Sequence, residues 1–253
     1  MKNKILIIGA GSWGTALANT LAKENKGVDI WTRNLKISHE INKKNTNKKY
    51  FKKIKLQKNL HAISGAFNIS EYSFIFYVLP AGQFEYFIKN YLNTQKINNF
   101  IICSKGLSAN GQLISVVAKA YLKFKNLYIL SGPSFAEEVI KGLPTALSIS
   151  SNSSPLPLGK LFKGTNIRIY YSKNYKTLEV LGVIKNIYAI GAGIIDSLRL
   201  GENARAAYIA RCIAEIQFIL KNSKLDNKQI LTLGGVGDLI LTCSSKKSRN
   251  YSF

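Results

Sequence analysis

The segment that most constrains this chain is Gly9-Ala10-Gly11-Ser12-Trp13-Gly14, a G-x-G-x-x-G run set between two different periodicities. Before it, residues 4–8 form a short apolar, β-branched run that reads as a buried strand. After it, residues 12–23 carry Trp13, Ala16, Leu17 and Leu21 at helical spacing, Gly27 closes that element, and residues 28–32 read as a second strand. Strand, helix and strand in that order open a parallel sheet. In this setting each glycine has a physical reason: Gly9 allows the tight turn, Gly11 lets backbone N–H groups approach a pyrophosphate, and Gly14 lets helix and strand pack closely. The amino end of the helix adds partial positive charge, which stabilises a nearby anion by about 0.3–1 kcal/mol. The alternative is a glycine-rich turn with no ligand, and the strand–helix context argues against it.

The alternation continues down the chain. Residues 34–58 are polar and basic, helix and loop; residues 74–79 are a strong apolar strand stopped by Pro80; residues 84–91 are helical. A strand at 100–103 runs into Ser104-Lys105-Gly106, residues 113–124 are helical, and a strand at 127–130 runs into Ser131-Gly132-Pro133-Ser134. Residues 146–150 and 167–171 are further strands on either side of a Ser- and Pro-rich loop. From Thr177 strand signals fade: residues 181–195 are long and mostly apolar, and residues 203–220 form a helix with Asn203 placed to cap it. The expected fold is α/β, a Rossmann-type doubly wound parallel sheet over residues 1–178 followed by a smaller all-α domain over 179–253.

Composition narrows the function. Lys and Arg total 36 against 13 Asp and Glu, a formal net charge of +23, and the densest stretch is residues 43–58. Such a chain suits an anionic partner, although a Lys-, Asn- and Ile-rich composition also follows from A- and T-rich coding. No basic strand or helix carries interleaved aromatics in a nucleic-acid motif, so a phosphorylated small molecule is expected and nucleic acid is not. Cys103, Cys212 and Cys243 are far apart, and His39 and His61 lie in polar sequence, so no metal site is expected. Free thiols suit a reducing cytoplasm. The basic start and apolar run at residues 1–10 resemble a signal peptide, but the fixed glycines and the polar residues after them fit a strand and helix better. No run of about 18 apolar residues occurs, so no membrane span is expected. Whether the chain is a monomer or a homodimer stays open.

Several residues carry the chemistry. The second strand ends Trp31-Thr32-Arg33-Asn34, without the acidic residue that often holds ribose hydroxyls. Arg33 can pair with a 2′-phosphate, which favours NADP(H) over NAD(H), though an exposed arginine is unremarkable on so basic a chain. The turns holding Lys105, and Gly132 with Ser134, follow strands, where ligands of open α/β sheets collect; a solvated lysine and a helix-capping serine are their plain alternatives. Lys185 sits in a run of apolar and small residues. Burial there lowers a lysine pKa from about 10.4 toward neutrality, which suits it to take a proton from a substrate hydroxyl; a lysine snorkelling to a helix surface is the alternative. Near the carboxyl end, Asp238 can orient a lysine, Arg249 offers a planar fork for phosphate, and Ser248 and Asn250 offer neutral donors.

Taken together and in order, Gly-Ala-Gly-Ser-Trp-Gly-Thr-Ala-Leu-Ala at 9–18, Ser-Lys-Gly-Leu at 104–107, Ser-Gly-Pro-Ser-Phe-Ala-Glu-Glu at 131–138, Ile-Lys-Asn-Ile-Tyr-Ala-Ile-Gly-Ala-Gly at 184–193, Glu-Asn-Ala-Arg-Ala-Ala at 202–207, Gly-Val-Gly-Asp-Leu at 235–239 and Ser-Arg-Asn at 248–250 resemble bacterial-type NAD(P)-dependent glycerol-3-phosphate dehydrogenase. The resemblance implies interconversion of sn-glycerol 3-phosphate and dihydroxyacetone phosphate, feeding phospholipid synthesis, with NADP(H) or NAD(H) as cofactor. It implies cofactor contacts at Gly9, Gly11, Ser12, Trp13, Gly14, Arg33, Tyr50, Lys105, Ala136 and Arg249. It implies substrate contacts at Lys105, Gly132, Ser134, Lys185, Asp238, Ser248, Arg249 and Asn250, with Lys185 as proton acceptor. The chain departs from the pattern at Pro80-Ala81-Gly82-Gln83, where the family has Pro-Ser. It also reaches Phe253 short of the family's last helices, so an incomplete helical domain is expected. The rival readings are a non-catalytic remnant that binds dinucleotide or a partner, and a basic nucleic-acid-binding protein.

Overall fold

A computed structural model describes residues 4–25, 27–92 and 96–253; Met1, Lys2 and Asn3 of the signal-like start lie outside the described residues. The first part of the chain runs β1 (Ile5–Ile8), α1 (Ser12–Glu24), β2 (Val28–Trp31), α2 (Leu35–Lys44), β3 (Leu60–Ile63), β4 (Phe74–Tyr77), α3 (Phe84–Tyr91), β5 (Ile97–Ile102), α4 (Ile114–Tyr121), β6 (Phe124–Ser131), α5 (Ala136–Ile140), β7 (Thr145–Ser151), α6 (Leu156–Gly159) and β8 (Ile167–Tyr171). The second part is helical: α7 (Tyr175–Ser197), α8 (Gly201–Asn222) and α9 (Asp238–Cys243).

The eight strands form one sheet in the order β3-β2-β1-β4-β5-β6-β7-β8. Side-chain alternation explains the layers. On β1, Ile5 and Ile7 face a core shared with α1 and α5, while Leu6 and Ile8 face a second core shared with α3 and α4. Both faces are covered, so the strands read as continuous apolar runs. The chain leaves β1 toward β2 on one side and returns to β4 on the other, which opens a crevice beyond the carboxyl ends of β1 and β4.

Some details differ from the sequence expectation. The sheet is mostly rather than wholly parallel: β7 runs antiparallel to β6, and β8 parallel to β7. The link from β6 to β7 carries only the five-residue α5, which packs on α1 instead of crossing the sheet, so the chain re-enters from the same end. Strand β3 was not anticipated. Its four residues are held by parallel pairing of Leu60 to Val28 and of Ile63 to Trp31. Asn203 is not the cap of α8, which begins at Gly201 after Leu200. Helix α7 is long and apolar enough to cross a membrane by length and composition, contrary to the hydropathy reading of the sequence. Its buried face carries Glu179 and Lys185 and packs against β6, β7, α8 and α9, as a core helix does.

Candidate active site

The glycine turn is built as its sequence demands. Gly9 sits at φ +121°, where other residues are strained. A Cβ on Gly14 would overlap the carbonyl oxygen of Gly9, so only glycine lets α1 start this close to β1. A Cβ on Gly11 would meet nothing within 4 Å, because that position faces the open crevice. Asn47, fully buried, holds the turn from behind: its Nδ2 donates to the Ala10 carbonyl at 3.1 Å and to Thr15 Oγ1 at 2.9 Å. The open backbone at Gly11 and the free amino end of α1 fit the pyrophosphate of a dinucleotide.

From that turn a cleft of about 980 Å³ extends across the carboxyl ends of β1, β4, β5 and β6 to the helical domain. Its wall includes Ser12, Trp13, Arg33, Tyr50 and Ala136 at one end and Lys105, Ser134 and Lys185 at the other, closed by Ser248, Arg249 and Asn250. Arg33 and Arg249 are exposed, and Ser248 is buried. Asn34 is engaged elsewhere, accepting the N–H groups of Lys36 and Ile37 as the cap of α2. Ser134 does not cap α5; its hydroxyl donates to the Gly132 carbonyl at 3.2 Å.

Gly132 and Asp238 lie beneath the wall and organise it. The Lys105 ammonium donates to the Gly132 carbonyl at 2.9 Å and to Asp238 Oδ2 at 2.6 Å. The other carboxylate oxygen, Oδ1, accepts from Lys185 Nζ at 2.5 Å, and Lys185 also donates to Thr242 Oγ1 at 2.9 Å. One carboxylate, 1% exposed, thus holds two amines. Lys185 is 8% exposed on the buried face of α7. Burial, reinforced by the Lys105 charge and opposed by Asp238, brings its pKa down to about 8.

Asp238 reaches this place through a tight glycine segment. Residues Leu233–Gly237 form a single wide turn before α9, and a Cβ on Gly235 would overlap the Ile230 carbonyl. As the first residue of α9, Asp238 also meets the favourable end of that helix's dipole.

The fold therefore brings together the residues marked in the sequence, fourteen on the cleft wall and two directly behind it. Three others were missed. Asn186 donates from Nδ2 to the Lys105 carbonyl at 3.2 Å and lines the cleft; it stands next to Lys185, and its polarity in an apolar helix was a usable signal. Thr242 lies one helical turn after Asp238 on α9. Asn47 gave no signal, being one polar residue in a lysine-rich stretch.

Comparison with known proteins shows the family of this chain. The family model for the NAD-dependent glycerol-3-phosphate dehydrogenase N-terminus matches residues 4–156, and the model for its C-terminus matches residues 174–253. The glycerol-3-phosphate dehydrogenase (NAD(P)+) of Orientia tsutsugamushi is 39% identical over 99% of this chain and 77% of its own length, and that of Erythrobacter litoralis is 36% identical over 100% and 77%. The crystal structure of glycerol-3-phosphate dehydrogenase from Coxiella burnetii superposes with a TM-score of 0.89 at 33% identity, covering 99% of this chain and 78% of that one. The Plasmodium falciparum glycerol-3-phosphate dehydrogenase structure, at TM-score 0.87 and 23% identity over 99% and 76%, bears on the fold alone. With both family models matched in order along the chain, this protein belongs to the NAD-dependent glycerol-3-phosphate dehydrogenase family.

Proposed function

We propose that this chain interconverts sn-glycerol 3-phosphate and dihydroxyacetone phosphate, with Lys185 moving the hydroxyl proton. A nicotinamide dinucleotide held in this cleft would supply the hydride acceptor for the alcohol, or the hydride donor for the ketone. The neutral Lys185 amine takes the proton of the C2 hydroxyl in one direction, and its ammonium gives that proton to the carbonyl oxygen in the other. Asp238 keeps both amines aimed at one point. Lys105, Ser134, Ser248, Arg249 and Asn250 supply the charge and donors that hold a phosphoryl group. Ser12, Trp13, Tyr50, Ala136 and the turn from Gly9 to Gly14 receive the dinucleotide, and Arg33 favours the form with a 2′-phosphate. Run toward glycerol 3-phosphate, the reaction supplies phospholipid synthesis.

The observation that carries this reading is a lysine buried beside the dinucleotide cleft and brought to about 8, within hydrogen-bond reach of the carboxylate that also holds Lys105. Residues 1–178 hold most of the cofactor, and the substrate is held between the two parts, by Lys105 and Ser134 from the first and by Lys185, Ser248, Arg249 and Asn250 from residues 179–253. A cytoplasmic location suits Cys103, Cys212 and Cys243, all buried and free.

The test is oxidation of NADPH or NADH by dihydroxyacetone phosphate, followed by absorbance. Lys185→Ala is expected to lower kcat by about 10²–10⁴-fold while dinucleotide still binds. Dinucleotide binding by folded protein without any turnover would replace this reading with that of a non-catalytic binder.

A further inference from the structure

The most lysine-dense stretch of the chain has no role in the dehydrogenase site described so far. Lys43, Lys44, Lys48, Lys49, Lys52, Lys53, Lys55 and Lys58 place eight of the chain's 36 basic residues within sixteen positions, and no acidic residue lies between Glu40 and Glu71. All eight side chains are exposed. None has a carboxylate within ion-pair distance among the described residues. Glu40, the nearest acid in sequence, is occupied by the Thr46 hydroxyl at 2.7 Å and the Lys48 backbone N–H at 2.9 Å. Compositional drift spreads lysines along a chain; it does not explain this concentration.

The segment is not a loose tail. Phe51 and Leu56 are buried in the same core as α1, and Ile54 packs against that core. The Gln57 N–H donates to Asn19 Oδ1 on α1 at 2.8 Å, and Asn47 is bonded to the glycine turn. The apolar residues fasten the segment along α1, from Asn47 at the glycine turn to Asn59 at the far end of that helix, so its lysines stand at fixed places, with Lys49 at the cleft. Lys49 and Tyr50 line the cleft itself, as Arg33 does.

We propose that this lysine rim draws anionic dinucleotide into the cleft and selects for the one bearing a 2′-phosphate. The proposal rests on the dehydrogenase reading above and names a specificity element for it. A field of like charges beside an opening raises association rates by about 10–10³-fold for an oppositely charged ligand. A phosphate monoester adds about −1.5 to −2 charge near pH 7, so NADPH feels that field more strongly than NADH. The preference is therefore kinetic and salt-dependent, in addition to any direct contact with Arg33.

Association rates of NADPH and NADH, read by stopped-flow nicotinamide fluorescence without substrate, test it. Measurements run from ~10 mM to ~0.15 M salt, where the Debye length falls from about 30 Å to about 8 Å. The NADPH rate is expected to fall more steeply with salt than the NADH rate. The triple variant Lys49→Gln, Lys52→Gln, Lys53→Gln is expected to lower the NADPH rate at low salt by about tenfold, the NADH rate by less, and to flatten both slopes. Neutralising Lys221, Lys224 and Lys228, exposed at and beyond the end of α8, removes the same charge away from the cleft and is expected to leave the rates unchanged. Equal salt slopes for the two dinucleotides, or equal losses in the two triple variants, overturn the rim while leaving the dehydrogenase reading intact. Capture of anionic phospholipid vesicles with no change in NADPH association also overturns it. Binding of neither dinucleotide by folded protein defeats the dehydrogenase reading and removes the rim's ligand with it.

Discussion

Lys185 shows how far a single residue can be read. A lysine among small and apolar residues costs free energy unless it is paired or used, and that much was visible in the run Val183-Ile184-Lys185-Asn186-Ile187. Its partner was not: Asp238 lies 53 residues later and meets it only because α7 and α9 pack together. The resulting pKa of about 8 has a direct consequence for rate. Oxidation of the alcohol needs the neutral amine, so kcat/KM in that direction should rise with pH and level off above about 8. Reduction of the ketone needs the ammonium, so its kcat/KM should be level at lower pH and fall above about 8. Opposed profiles in the two directions are the expected measurement; profiles flat from pH 7 to 9 in both would remove Lys185 from the proton path.

The β1–turn–α1 unit was the most readable element because its determinants are local: an apolar run, three glycines and a helical stripe within 24 residues. Two substitutions separate the reasons for its glycines. Gly14→Ala drives a methyl into the Gly9 carbonyl and should destabilise the protein by about 1–3 kcal/mol, with a fall in melting temperature. Gly11→Ala meets no protein atom, so the melting temperature should hold while dinucleotide affinity falls. An equal drop in stability for both would mean the turn is only a packing device. Elements without local determinants were missed or misread. Strand β3 is four residues long, and its register comes from β2. The reversal at β7 depends on α5 packing against α1, which residues 131–145 do not announce.

At the scale of the whole molecule, α7 is the member that joins sheet to helical domain. Its face carries Lys185 into the cleft and, two turns earlier, buries Glu179 against the start of α4, where Oε1 accepts the Ser115 N–H at 2.9 Å. Burial raises the Glu179 pKa above its ordinary 4.5 despite hydrogen bonds from Ser115 and Ile114 that favour the charge. A raised carboxyl pKa in the folded state means that folding favours the protonated form more than the unfolded chain does. The associated stability is present at low pH and is lost as pH rises through the folded value. Glu179→Gln keeps an acceptor for Ser115 without the charge, so its melting temperature should match wild type near pH 4 and exceed it near pH 7. Glu179→Leu leaves the Ser115 N–H unsatisfied and should cost about 1–3 kcal/mol. A Gln variant less stable than wild type at neutral pH would show that the carboxylate charge itself joins the two parts. The apolar residues on the other face of α7, among them Ile187 and Ile194, are exposed, so the helix is apolar on both faces although its buried face is that of a core helix.

The amino-acid order alone determined the layered α/β architecture, the dinucleotide turn and the motifs that place the chain in its family, because these rest on periodicity and on contacts between near neighbours. The tertiary structure alone decided the triad of Lys185, Asp238 and Lys105, the seating of Asn47 behind the glycine turn and the direction of β7. Each of these depends on surfaces that meet only after helices from distant parts of the chain have packed, and the electrostatics of a buried amine exist only once that packing has excluded water.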